Sequence, residues 1–263
     1  MSKVKNHIEI LRSGKIDAET LKELRKVNLL TPDMANAKTA KNQGKGYASY
    51  IMHLAPFKVS GFNMCPAASQ GCAAACLNTA GRGRFDSIQQ SRVRKTLYFV
   101  KAKDAFLTHL FNEIGRIERK AIKNGLKPVV RLNGTSDLPW ENMRIDGKNV
   151  FETFPNVQFY DYTKVFARLK TLRLMNLKNY NVTFSASETN DVQVQAALDL
   201  GFNAAVVFDS IPAEYWGVKV IDGDAHDLRF TDPQGGYIVG LKAKGDAKKD
   251  TSGFVKITQK QAA

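Results

Sequence analysis

The sequence predicts an α/β protein built on a parallel sheet of about six strands, and three observations predict it. Strand-like and helix-like segments alternate from residue 47 to residue 225, the rhythm of parallel strands joined by crossover helices. The longest helical segment carries Phe106, Leu110, Phe111, Ile114, Ile117 and Ala121 on one stripe, the face of a helix laid against a sheet. Polar clusters follow the ends of successive strands, where α/β folds gather their functional groups. With 263 residues, 43% hydrophobic and 10% aromatic, the chain can bury a core, and global disorder is excluded.

The elements follow in order. Residues 1–46 read as a helical, basic leader: Val4–Arg12 and Ala18–Val27 have helical apolar spacing, Asp17 is placed to cap the second, and Asn36–Gly46 reads as a Lys-rich linker. The main domain, residues 47–245, opens with a strand at Tyr47–Leu54, and a cysteine-bearing loop comes next. Helices are expected over Ser87–Lys101 and Asp104–Asn124, the latter stopped by Gly125. A strand at Pro128–Leu132 precedes a loop with Asp137 and Pro139 and a short irregular stretch. Then come a strand at Val157–Tyr160, a helix at Lys164–Asn179, a strand at Asn181–Ser185 and a helix at Asp191–Leu200 ending at Gly201. Strands at Ala204–Phe208, Val218–Ile221 and Tyr237–Leu241 complete the set, and residues 246–263 read as a basic C-terminal tail. An open doubly wound sheet and a barrel-like curved sheet both satisfy this rhythm. No internal repeat interrupts it.

The formal net charge is +14, which favours polyanionic or acidic partners, nucleic acid among them; a generally basic surface without a partner is the alternative. The N-terminus is not followed by an apolar signal region, so a cytoplasmic location is expected. Val59–Gly81 has no charged residue, but Gly61, Asn63, Pro66, Gln70, Gly71 and Asn78 make it too polar and broken for a membrane helix. An odd number of cysteines in such a chain argues against a disulfide framework.

All three cysteines, Cys65, Cys72 and Cys76, fall within twelve residues. Cys72 and Cys76 are four apart, so a helical turn between them points both sulfurs to one side. Pro66 and Gly71 allow Cys65 to come back toward them, and the intervening alanines allow backbone to approach a bulky inorganic group. Three readings compete: an iron–sulfur cluster on three thiolates, a zinc ion with His53 or His226 as fourth ligand, or three unligated thiols. Gly81-Arg82-Gly83-Arg84, Arg92, Arg94 and Lys95 follow the cysteines and are either cations near an anionic cluster or a solvated helix face.

The other strand ends carry Asn133, Thr135, Ser136 and Asp137; Tyr160–Lys164; Ser185, Ser187 and Glu188; and Asp209 with Ser210. Four such clusters read as the lining of a site, with helix capping as the alternative, above all for Thr189 and Asn190. His7 and His109 show no ligand spacing, and Asp222, Asp224 and Asp227 read as an acidic turn. No P-loop, Rossmann fingerprint or nucleophile elbow is present.

A cysteine loop after the first strand and a run of β/α units resembles the radical S-adenosylmethionine (SAM) enzymes, although their usual Cys-x3-Cys-x2-Cys is here Cys-x6-Cys-x3-Cys. Met52–Pro56, the three cysteines with Leu77-Asn78-Thr79, and Gly81-Arg82-Gly83 look like a family of bacteriophage proteins, common in marine phages and radical-SAM-like. The segments Asn133–Asp137, Tyr160–Lys164 and Ser185–Glu188 fit that family too. The resemblance implies a partial (β/α)6 barrel-like sheet with a [4Fe-4S] cluster on Cys65, Cys72 and Cys76. It further implies SAM chelated at an open fourth iron, with Thr135, Ser136, Ser185, Ser187 and Glu188 as SAM contacts. An auxiliary enzyme of the infected host cytoplasm, fed by an electron donor and generating a 5′-deoxyadenosyl radical, would follow. The alternatives are a non-catalytic redox-sensing or nucleic-acid-binding iron–sulfur protein, and a structural zinc protein.

Overall fold

The computed structural model describes residues 3–32 and 42–258. Most of the expected linker, 36–41, and the end of the expected tail, 259–263, lie outside them. The chain is a mixed α/β protein whose strands pair mostly in parallel. Its described residues fall into two compact units: those within 1–65 and 82–159, and those within 66–81 and 160–263. Strand β6 (Gln158–Thr163) passes from the first to the second.

In the first unit the described part of the leader is folded. Helix α1 (Lys3–Ser13) packs on α5 (Asp86–Lys101) and buries Ile8 and Leu11. Helix α2 (Ala18–Arg25) is capped as its sequence requires, with Asp17 Oδ1 accepting from the Thr20 N–H at 2.7 Å. Strand β1 (Leu30–Pro32) pairs antiparallel with β2 (Tyr47–Met52), Leu30 opposite Met52. β2 pairs parallel with β3 (Lys127–Arg131), and β3 pairs parallel with the start of β6. Helix α6 (Lys103–Lys123) buries Phe106, Leu110, Ile114, Ile117 and Ala121 of the expected stripe. Phe111 is half-buried and sets its ring edge-on to Phe154. The short helix α3 (Phe57–Ser60) packs on α5. The irregular stretch after Asp137 holds a small hairpin, β4 (Arg144–Ile145) with β5 (Lys148–Asn149). Helix α7 (Val150–Thr153) follows, begun by a capping box between Asn149 and Glu152.

In the second unit, helix α4 (Gln70–Ala74) carries Cys72. Helices α8 (Phe166–Met175) and α9 (Asp191–Asp199) pack Leu169, Leu172, Val194 and Ala197 against Val182 and Phe184 of β7 (Tyr180–Ser185) and against Val206 and Phe208 of β8 (Ala204–Phe208). Helix α8 stops four residues short of expectation because Asn176 turns left-handed, with φ 49°. Beyond β8 the strand order departs from the chain order: β11 (Ile238–Lys242) lies between β8 and β10 (Val218–Asp222), parallel to both. The two-residue strand β9 (Glu214–Tyr215) ends that side antiparallel to β10. Among the described residues no strand pairing closes a barrel.

Past residue 245 the expected tail continues as structure. Residues Gly245–Lys249 form a 3-10 turn, and β12 (Val255–Lys256) pairs parallel with the end of β8. β11 occupies the whole of one edge of β8, so β7 and β12 divide the other, β7 at Ala204 and Ala205 and β12 at Val207 and Phe208. No described helix is long and apolar enough to cross a membrane.

Candidate functional site

No disulfide joins the cysteines, and each is half-buried. In the first unit, the Cys65 N–H donates to Asn63 Oδ1 at 2.9 Å, and its thiol points to the Thr135 carbonyl at 3.7 Å. Thr135 is fixed in turn by its hydroxyl, which donates to the Leu54 carbonyl at 2.6 Å. Gly134 is required where it stands: a Cβ there would lie 2.5 Å from the Met52 carbonyl oxygen and 2.7 Å from His53 Nδ1. The loop after β3 therefore packs directly on the end of β2. Its organiser is Asn133, whose Oδ1 accepts from Ser136 Oγ, the Leu138 N–H and Trp140 Nε1 at 2.8, 3.0 and 3.0 Å, and whose Nδ2 donates to the Leu138 carbonyl. Asp137 donates its N–H to the Met64 carbonyl at 2.8 Å, one residue before Cys65.

In the second unit, helix α4 is held at its first turn by two side chains. Ser69 Oγ accepts from the Cys72 N–H at 3.2 Å, an N-cap. Glu188 then reaches α4 from the end of β7: Oε2 accepts from Ser69 Oγ at 2.6 Å and Oε1 from the Gly71 N–H at 2.7 Å. Burial opposes ionisation of Glu188, but hydrogen bonds from Ser69, from its own N–H and from Gly71 outweigh it and hold the carboxyl below its usual 4.5. Gly71 leaves room for this bond, since a Cβ there would lie 2.1 Å from Ser252 Oγ and 2.9 Å from Glu188 Cδ. After α4, Cys76 caps a 3-10 turn (Leu77–Thr79), its sulfur accepting from the Asn78 N–H at 3.5 Å. Ala75 packs on the small apolar cluster of Ala243, Ala247 and Val255, so the cysteine helix rests on the chain's last strands.

The remaining strand-end groups are bonded within their own units. Ser185 Oγ accepts from Lys164 Nζ at 2.8 Å; Ser187 Oγ lies 3.4 Å from Thr189 Oγ1, and the Ser187 N–H donates to Asn190 Oδ1 at 2.7 Å. Asn190, expected as a cap, makes no side-chain cap to α9 and ties the Ser185–Ser187 turn together, its Nδ2 donating to the Ser185 carbonyl. Tyr160 donates to Asp227 at 2.7 Å, Asp209 accepts from Thr258, and Asp222 and Asp224 form a turn in which Asp224 also holds Lys242 and Lys244. His226 Nδ1 lies 3.2 Å from Arg229 Nη2, and its Nε2 lies 3.8 Å from Asp232.

Arg92, Arg94 and Lys95 are neither a solvated face nor a cationic rim: all three are buried on α5. Lys95 Nζ donates to the Leu29 carbonyl at 3.1 Å, and Glu113 accepts from the N–H groups of Leu29 and Leu30 at 2.8 and 3.2 Å. Burial, with Arg92 and Arg94 adding to it, pushes Lys95 down to about 7. Burial, with Arg116 and Arg25, pushes the neighbouring His109 down to about 4. This cluster secures β1 to the helices. Arg82 and Arg84, by contrast, are exposed.

Sequence reasoning missed two parts of this arrangement: Asn133 as organiser of the Thr135–Ser136 turn, and Ser69 with Glu188 as the clamp on α4. Ser69 carried a legible signal, a cap residue three positions before Cys72. The Glu188 partnership joins residues 117 and 119 positions apart and left no local trace. Among the described residues, no group of three or more His, Cys, Asp or Glu side chains is gathered as a ready metal-ion site. A family model described as Gene product 88 matches residues 26–257. No curated protein and no solved structure matches the chain.

Proposed function

The chain belongs to the Gene product 88 family, a bacteriophage gene-product family, and from that premise we propose that it is a phage iron–sulfur protein with a radical-SAM-like auxiliary role in the infected host cytoplasm. The observation that carries this reading is the cysteine segment: every cysteine of the chain, half-buried and in no disulfide, lies within twelve residues. In this reading Cys65, Cys72 and Cys76 hold a [4Fe-4S] cluster. When bound, such a cluster supplies single electrons and an iron open to the amino and carboxylate groups of SAM.

The chain's own residues prepare that segment. Ser69 and Glu188 fix the first turn of α4 and with it the backbone of Cys72. The Thr135 carbonyl faces the Cys65 sulfur. Thr135, Ser136, Ser185 and Ser187 stand as SAM contacts through the acceptor capacity their hydroxyls retain beyond their internal bonds. Glu188 is a further SAM contact in this reading, each of its oxygens keeping a lone pair beyond the bond that positions α4. Zinc is the weaker reading: it needs four donors at about 2.0–2.3 Å, and the candidate His226 lies against Arg229 and Asp232.

Anaerobic purification with iron and sulfide analysis, then electron paramagnetic resonance with and without SAM, tests the proposal. About four irons per chain and a SAM-shifted signal are expected. Cys65→Ala, Cys72→Ala and Cys76→Ala should each abolish cluster assembly, and full iron occupancy in any one removes that cysteine from the ligand set. A signal indifferent to SAM reduces the reading to a redox or sensing role. Zinc without iron ends it.

A further inference from the structure

We propose that the first unit carries a docking face for duplex nucleic acid on the single helix α6, formed by Arg116, Arg119, Lys120 and Lys123. The inference goes beyond the cluster reading, since none of these residues is a cysteine or a SAM contact in that reading.

All four cations are exposed. At 3.6 residues per turn they fall within about 100° of the helix circumference, together with the exposed Asn112. The buried stripe of Phe106, Leu110, Ile114, Ile117 and Ala121 takes the other side of the helix. The cations therefore form one outward face of one element. Asp104 and Glu118 lie on other sides of the helix. Glu113, which attracts Arg116, is buried, and its oxygens accept from the N–H groups of Leu29 and Leu30. Past the helix end, Gly125 turns left-handed at φ 68° and the Leu126 N–H donates to the Ala121 carbonyl at 2.9 Å. The exposed Lys127 follows that turn and adds to the positive charge at this end.

This face is unfavourable to the helix that bears it. Arg116 with Arg119, Arg116 with Lys120, Arg119 with Lys123, and Lys120 with Lys123 are like charges three or four residues apart, and such pairs destabilise a helix. The helix dipole favours Lys120 and Lys123 in the last turn, but Arg116 and Arg119 precede that turn. Helix α2 shows the compensated arrangement: Lys22 stands against Glu19 and Lys26 against Glu23. Among the described residues, no carboxylate forms an ion pair with any of the four cations of α6. Charge left unneutralised by the fold, at a cost to its own helix, is what a surface neutralised by a bound polyanion requires.

The chemistry of the face selects the polyanion. An acidic protein would want an apolar core within the patch, and this sector of α6 holds no apolar side chain. A bilayer would want the apolar stripe of the helix, which is already buried in the fold. A single strand would want aromatic rings for its unpaired bases, and the sector holds none. Backbone phosphates of a duplex need only cations. The seven residues from Arg116 to Lys123 rise about 10 Å. With the reach of their side chains, that span suits the roughly 12 Å major groove of B-form DNA, so the two ends of the row meet phosphates of both strands. The net charge of +14 supplies the long-range attraction.

The test is fluorescence anisotropy of the full chain with a labelled mixed-sequence DNA duplex of about 20 base pairs, with polyglutamate and unlabelled duplex as competitors. The duplex should bind with salt-sensitive affinity. Arg119→Gln with Lys123→Gln should lower the salt slope by about 1.8, two duplex phosphate contacts, and weaken binding about tenfold or more at low salt. Arg116→Lys with Arg119→Lys keeps the charges and should preserve binding. The side chains are exposed, so circular dichroism should be unchanged in both variants. The proposal is overturned if the folded protein does not bind the duplex at low salt, or if the Gln variant binds as the parent does. It is equally overturned if polyglutamate competes as well as unlabelled duplex, or if a single strand of the same sequence binds more tightly than the duplex.

Discussion

The Lys95–His109–Glu113 cluster and the cysteine segment are both polar arrangements built on helices, yet they do opposite things. The first is at most 5% exposed, and its Lys95 and Glu113 are directed at backbone, holding the N–H and carbonyl of Leu29 and the N–H of Leu30. The second is half-buried at every cysteine, and its charged member, Glu188, holds the helix that carries Cys72. A charge sealed from water serves the fold, because leaving any of its partners unmatched is costly. A charge at the surface of a small-residue loop is free to position something that reacts.

The comparison can be broken first at the buried cluster. Glu113→Ala leaves the buried N–H groups of Leu29 and Leu30 without their acceptor, and should cost about 2–4 kcal/mol in urea unfolding. A cost near zero would mean that the cluster is not structural. Next is Gly71→Ala, whose new methyl meets Ser252 Oγ and the Glu188 carboxylate. About 1–3 kcal/mol is expected, with faster alkylation of Cys72 as α4 is pushed from its clamp. Unchanged alkylation would show that the clamp does not govern the cysteine.

The pH dependence sharpens the contrast. Lys95 stands at about 7 in the fold against 10.5 in the ordinary case, so the unfolded chain binds more protons between those values. Stability therefore rises with pH across that window, and Lys95→Met should flatten the rise in unfolding midpoints. Glu188 is held below 4.5, so its contribution is present at neutral pH and lost as pH falls through its folded value. Glu188→Gln should remove this acid-side loss, the smallest of the effects, read as a difference in midpoint between neutral and acid pH.

Much of the fold was legible. The α6 stripe, the Asp17 cap, the Gly125 and Gly201 stops and most strands appear where period and punctuation place them. The strand order past β8 was not, because insertion of β11 between β8 and β10 is a choice among pairings that local pattern leaves equal. Residues 246–258 read as a basic tail, yet Val255 and Lys256 complete the edge of β8 that β7 leaves open. Arg92, Arg94 and Lys95 read equally as a wet face or a cationic rim, and a buried charged run on a helix has no distinctive spacing.

By itself the sequence determined that this is an α/β chain of parallel strands with its cysteines confined to one loop, because periodicity, caps and cysteine spacing are local properties. Only the tertiary structure decided that Glu188 serves Ser69 and Gly71, that Asn133 ties the turn containing Thr135 and Ser136, and that Lys95 and Glu113 secure β1. Each of these pairs a donor with an acceptor whose identity is set by which surfaces the burial of apolar area brings together, and residue type alone does not encode that choice.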